Sequence, residues 1–113
     1  ILNPDLNGNG STDDEVFAAA QGQVEAGVDL IFVHFHGYDD QAHTFGPTSS
    51  EAEAKLRELD LYVQQLCEQF SGTVFVLADH GQHPSTGEKL GEHGEFHHLD
   101  LTVPWISWEQ SGI

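Results

Sequence analysis

The residues that could do chemistry in this chain fall in three clusters. Asp39-Asp40-Gln41-Ala42-His43 carries a carboxylate and an imidazole four positions apart. On a helical turn that spacing puts both on one face. Asp79-His80-Gly81 sits at the end of the apolar run Val74-Phe75-Val76-Leu77-Ala78. Gly91-Glu92-His93-Gly94-Glu95-Phe96-His97-His98 adds three imidazoles among acids. Carboxylate oxygen and neutral imidazole nitrogen together suit Zn²⁺ and similar divalent ions. Each cluster alone also reads as a polar turn that happens to contain His. Their number shifts the balance: eight histidines are many for 113 residues, and most lie in 34–43 and 80–97 beside acids.

The elements that would position these clusters follow from the apolar pattern. Val74 to Ala78 reads as a strand buried on both faces, stopped by the Asp-His-Gly turn. The carboxyl edge of such strands is where ligands bind in open α/β sheets. Asp29 to His36 reads as a second buried strand, and Val103 to Trp108 as a third. His34 and His36 share a face of theirs, because strand side chains alternate. That pattern suits a buried, hydrogen-bonded His34, while His36, nearest the following loop, is open to either role. A helix over 12–26 would begin at Thr12 with Glu15 in a capping box and end at Gly27. Ser50 with Glu53 opens a second helix over 50–70, with Leu56, Leu59, Val63, Leu66 and Phe70 as its core stripe. Alternating helices and strands predict an α/β fold: a parallel-rich sheet through 30–35, 74–78 and 103–108, with flanking helices. The loops 37–47 and 81–98 would carry the ligands. Asp5, Asn7, Asn9 and Gly10 imitate a calcium loop, but Val16 stands where a bidentate Glu is required, so a loop feeding the first helix is the plainer reading.

Charge narrows the partners. The formal charge is −16, with Lys55, Arg57 and Lys89 against nineteen acids. Such a chain repels nucleic-acid polymers and anionic membranes. It also repels a phosphate substrate unless cations sit in the site. No run is apolar enough to span a membrane, and the single Cys67 allows no internal disulfide. With Ile1 inside an apparent loop and no Met, the chain reads as a piece of something larger, long enough for one small domain with a core.

The clusters also carry a resemblance. Asp39-Asp40-Gln41-Ala42-His43-Thr44-Phe45-Gly46-Pro47 resembles the D-x-x-x-H-x-x-G-P of type I phosphodiesterases and nucleotide pyrophosphatases. Ala78-Asp79-His80-Gly81 resembles their D-H-G segment. Gly91-Glu92-His93-Gly94, with Val103-Pro104 behind it, resembles their G-x-H-G and the strand after it. The match covers roughly residues 28–108. These proteins belong to the alkaline phosphatase superfamily, with cofactor-independent phosphoglycerate mutases, phosphopentomutases and sulfatases.

The resemblance implies two divalent ions, Zn²⁺ first and Mn²⁺ second. Asp39, His43 and His93 would hold one, Asp79 and His80 the other. The mutase branch would select His98 in place of His93. The second ion in the family also takes an earlier Asp and a Thr or Ser nucleophile. Nothing here matches either, so the chain holds no catalytic nucleophile. Residues 1–113 would then be a single partial catalytic domain, its carboxyl-terminal metal-binding portion, from a parent hydrolase of phosphate esters. The isolated piece would be inactive. Phosphomutase and phosphoethanolamine transferase remain alternatives within the superfamily. Outside it stands a non-enzymatic acidic, His-rich metal-binding domain. An amidohydrolase site built on His34-x-His36 would need a (β/α)₈ barrel, far longer than this chain.

Overall fold

The computed structural model of the protein describes residues 4–111. It is a mixed α/β structure. Three main helices come first: α1 Asp13–Glu25, α2 Gly37–Phe45 and α3 Ser50–Glu68. Strand β1 Gly72–Leu77 follows, then the short β2 His83–Pro84 and β3 Gly91–Glu92, the single turn α4 His98–Leu101, and β4 Trp105–Gln110.

The expected parallel-rich sheet is not formed. β1 pairs antiparallel with β4, from Gly72 opposite Gln110 to Leu77 opposite Trp105. β2 and β3 form a second antiparallel pair. The long path from β1 to β4 doubles back through β2, β3 and α4 rather than crossing over by a full helix, so the two strands meet head to tail. Residues 30–35 carry no regular secondary structure and belong to no strand among the described residues. Their side chains alternate: Ile31, Val33 and Phe35 are half-buried, while Leu30 and Phe32 are 76% and 91% exposed. β1 alternates likewise, with Phe75 and Leu77 about half exposed. Neither run is buried on both faces: every second side chain along each is exposed.

The helices match the pattern closely, but their caps do not. Thr12 precedes α1 without capping it through its side chain. The cap of α3 is Ser49, one residue ahead of the expected Ser50, and its Oγ accepts from Ala52 N at 3.1 Å. Asp5 accepts from the amides of Asn9 and Gly10, which folds the amino-terminal loop onto itself ahead of α1. Tyr62 of α3 stacks on Phe17 of α1 at 4.5 Å and on Phe35 at 5.8 Å, joining the two helices to the segment 30–35. Among the described residues the buried apolar side chains are only Ala20, Ala42 and Ala52. The expected core stripe of α3 is thinner than its spacing implied, with Leu56 55% exposed. Two carboxylates, Asp13 and Asp100, are buried instead.

Candidate metal centre

The first cluster forms on α2. Gly37 to Phe45 is helical, so Asp39 and His43 face one another one turn apart, with His43 Nε2 3.3 Å from Asp39 Oδ2. The amino end of α2 is fixed from outside. Asp13 Oδ1 accepts from His36 N at 3.1 Å and Gly37 N at 3.2 Å. Tyr38, in the first turn of α2, donates to the Pro47 carbonyl at 2.7 Å, which ties the loop after the helix back to its start.

Asp39 is the hub. Its Oδ1 lies 3.2 Å from His93 Nε2 and 3.9 Å from His80 Nε2, and it accepts from the Gln82 amide. Its Oδ2 faces His43 and, at 3.6 Å, His36 Nε2. The rings of His80 and His93 stack at 3.8 Å, and that of His43 lies 4.9 Å from His93. Asp39, His80 and His93 offer ligand atoms within 4.8 Å of one another. Asp79 stands at the margin, 65% exposed, with Oδ1 3.7 Å from His80 Nε2.

Two of these rings are held by backbone. His43 Nδ1 donates to the Gly91 carbonyl at 2.6 Å, and His80 Nδ1 to the Gly81 carbonyl at 2.8 Å. A carbonyl can only accept, so the proton of each ring is on Nδ1. In the neutral ring the lone pair is then on Nε2, aimed at the Asp39 carboxylate. This is the arrangement by which backbone carbonyls orient metal-binding imidazoles. β3 sits tightly on α2 to provide it. A Cβ at Gly91 would run into the Ala42 carbonyl and the Gln82 side chain.

The structure therefore brings together Asp39, His43, His80 and His93, with Asp79 outside the group, beside His80 and His34. His98 is elsewhere: it opens α4 and stacks on His97 at 4.8 Å. His34 is not the buried side chain its strand pattern implied. It is 71% exposed, with Nε2 3.9 Å from Asp79 Oδ2. His36 pairs with Asp40 at 3.2 Å. Partial burial opposes charge on His36, but the hydrogen bond and charge of Asp40, with Asp39 and Asp13 beyond, outweigh it and raise its pKa. An open cleft of about 540 Å³ lies beside the hub, lined by Asp79, His80, His93 and Glu95 among others.

Several participants gave no sequence signal. Gln82 lay in a segment that looked like plain polar loop. Asp13 looked like an ordinary acid in the first turn of α1. His83 and Asp100, hydrogen-bonded at 2.7 Å, are seventeen positions apart. Only the unusual density of His near acids in 80–100 hinted at them.

Comparison with known proteins gives the family. The family model for type I phosphodiesterase / nucleotide pyrophosphatase matches residues 3–112. The chain belongs to this family. A curated relative, GPI ethanolamine phosphate transferase 1 of Chaetomium globosum, is 31% identical over 86 residues. That match covers 70% of this chain but only 9% of the relative. No solved structure gives a significant match. Among the described residues no helix is long and apolar enough to cross a membrane.

Proposed function

We propose that this member of the family is the metal-binding portion of a phosphoryl-transfer hydrolase acting on phosphate diesters or pyrophosphates with two divalent cations. The observation that supports it most is the direction of the imidazoles around Asp39. Nε2 lone pairs of neutral His43 and His80 would face a carboxylate at 3.3 and 3.9 Å. Like-signed electron density set face to face is unfavourable unless a positive charge lies between. Either the rings take protons or a cation fills the gap; the Nδ1–carbonyl bonds are kept in both cases and leave Nε2 as the atom directed at Asp39, and the family match over residues 3–112 favours the cation.

Asp39, His43 and His93 would hold one ion, Asp79 and His80 the other. Zn²⁺ fits this donor set first and Mn²⁺ second. A pair of such ions neutralises charge on the attacking and leaving oxygens of a phosphoryl group. The chain's own residues do the rest. Gly91 and Gly81 carbonyls fix the rings, the Gln82 amide holds Asp39, and the cleft by Asp79 and His93 leaves room for a phosphate ester. A transferase reading draws support from the relative named for ethanolamine phosphate transfer.

Zinc bound only to the folded site raises its stability by mass action. The test is a thermal melt with and without Zn²⁺ on the wild type, Asp39→Asn, His43→Ala, His93→Ala and His98→Ala. Zinc should raise the midpoint of the wild type and of His98→Ala, and much less that of the other three. An equal rise in all five sends the ions elsewhere and removes the proposal.

A further inference from the structure

His80 and His93 come from separate turns, and their rings stack face to face at 3.8 Å. Something must hold the two turns in register. Gly81, directly after His80, donates its N–H to the Asp100 carbonyl at 2.8 Å. Glu95, two residues after His93, donates its N–H to Asp100 Oδ2 at 3.1 Å. The remaining carboxylate oxygen, Oδ1, takes His83 Nδ1 at 2.7 Å. His83 in turn lies in β2, paired with Glu92 of β3, which directly precedes His93. One residue thus bonds to both ligand-bearing turns, and reaches the second by two routes.

The burial fits that role. The Asp100 side chain is 3% exposed and His83 is 12% exposed. A buried carboxylate without partners is costly, and each oxygen here has one. His83, His97 and Asp100 also form a group with metal-ligand types close together. Its Nδ1 atoms and the Asp100 carboxylate already make structural hydrogen bonds, however. His83 Nδ1 is committed to Asp100, and His97 Nδ1 accepts from Leu99 N at 3.1 Å as the cap of α4. The group therefore serves as a bracket. The approach on the other side is equally close: a Cβ at Gly81 would strike the Leu99 carbonyl, so α4 lies directly against the turn after His80.

We infer that Asp100 is a positioning residue. It sets the spacing of His80 and His93 from one buried carboxylate and its own carbonyl, and so tunes divalent-ion affinity without touching the ion. This rests on the proposed metal centre. Outer partners that orient ligands typically alter affinity 10- to 100-fold when removed.

The experiment measures zinc affinity by calorimetry in the wild type, Asp100→Ala, Asp100→Asn and, as a control for the site itself, Asp39→Asn. In parallel, imidazole NMR of the metal-free proteins reads the ring-current shift that stacked His80 and His93 impose on each other. Asp100→Ala should weaken zinc binding about 10- to 100-fold and abolish the mutual shift, with helical circular dichroism retained. Asp100→Asn keeps the volume and an acceptor for Glu95, so it supplies a folded variant where Ala does not; it should lose zinc affinity several-fold. Wild-type affinity and an unchanged ring shift in a folded Asp100 variant would overturn the inference, even if its melting temperature fell. Should Asp39→Asn bind zinc like the wild type, the metal-centre reading fails on its own. The ring shift in the Asp100 variants then decides the positioning claim.

Discussion

The carboxylate of Asp13 accepts the amide of Gly37 at 3.2 Å, joining the first turn of α1 to the first turn of α2. The same oxygen takes His36 N, and its partner Oδ2 lies 3.2 Å from Lys55 Nζ. Asp13 is 1% exposed and the Lys55 side chain 11%. An anion here satisfies the orphan amides at the amino end of α2, where the helix dipole also favours negative charge. Gly37 is required by the close approach, since a Cβ there would collide with Asp13 Oδ2 and the Lys55 chain. Through this contact the helix bearing Asp39 and His43 is fixed to the rest of the protein.

Asp13→Ala should therefore be costly. It leaves the His36 and Gly37 amides without their acceptor, while Lys55 keeps Glu58 at 2.8 Å, a class of change worth about 1–3 kcal/mol. Urea unfolding followed by circular dichroism measures it. A loss below about 1 kcal/mol would mean that water replaces the carboxylate without strain.

Gly91→Ala is expected to separate β3 from α2. The added methyl meets the Ala42 carbonyl, which is backbone and cannot swing aside. Overpacking of this kind costs about 1–3 kcal/mol. The Gly91 carbonyl would move away from His43 Nδ1, so zinc affinity should fall together with stability. Unchanged zinc binding in a destabilised Gly91→Ala would show that His43 does not depend on that carbonyl.

How far the sequence revealed this arrangement depended on the range of the interaction. Asp39 and His43 were legible because a helix repeats every few residues, and the turn at Asp79-His80 because the apolar run stops there. His93 stood out by its glycine-flanked motif, and its Nε2 lies 3.2 Å from Asp39 Oδ1. Strand direction was not legible. An apolar run such as Val74 to Ala78 says that a strand will be covered, and says nothing of which neighbour pairs with it or which way that neighbour runs. The run at 30–35 carried the same signal and pairs with no strand among the described residues. Asp13, Gln82, His83 and Asp100 act across 24, 43 and 17 positions, and no local spacing encodes such contacts.

The pair His83 and Asp100 gives the fold a pH window. The Asp100 hydrogen bond raises the His83 pKa above its ordinary 6.5, against the opposing effect of burial. Burial alone would raise Asp100, but the His83 hydrogen bond, the Glu95 amide and nearby imidazole charge lower it below 3.8. The His83 contribution is thus complete below about pH 6.5 and is lost as pH rises through its elevated folded value. That of Asp100 is complete above about pH 4 and is lost as pH falls through its lowered one. Stability of the wild type relative to His83→Gln should be greatest between these limits and decline on both sides. Denaturant midpoints for both proteins across pH 3 to 8.5 test it; a difference that is flat with pH would show the pair to be uncharged.

The final prediction concerns turnover. Phosphoryl transfer at a two-ion site of the proposed kind needs a nucleophile held at the ions. None of the sequence motifs supplies one, and Thr44, the hydroxyl next to His43, donates to the Asp40 carbonyl at 3.0 Å within its own helix. The 113-residue chain should therefore bind Zn²⁺ or Mn²⁺ yet hydrolyse neither p-nitrophenyl phosphate nor bis-p-nitrophenyl phosphate above the rate of the free ions. The comparison that decides it sets wild type against Asp79→Ala at equal metal. Asp79 is exposed, so its removal should leave the fold intact while depriving His80 of its neighbouring carboxylate. Equal, background-level rates in both proteins are expected. Metal-dependent hydrolysis in the wild type that disappears in Asp79→Ala would mean that these residues, with water as the nucleophile, suffice for the chemistry.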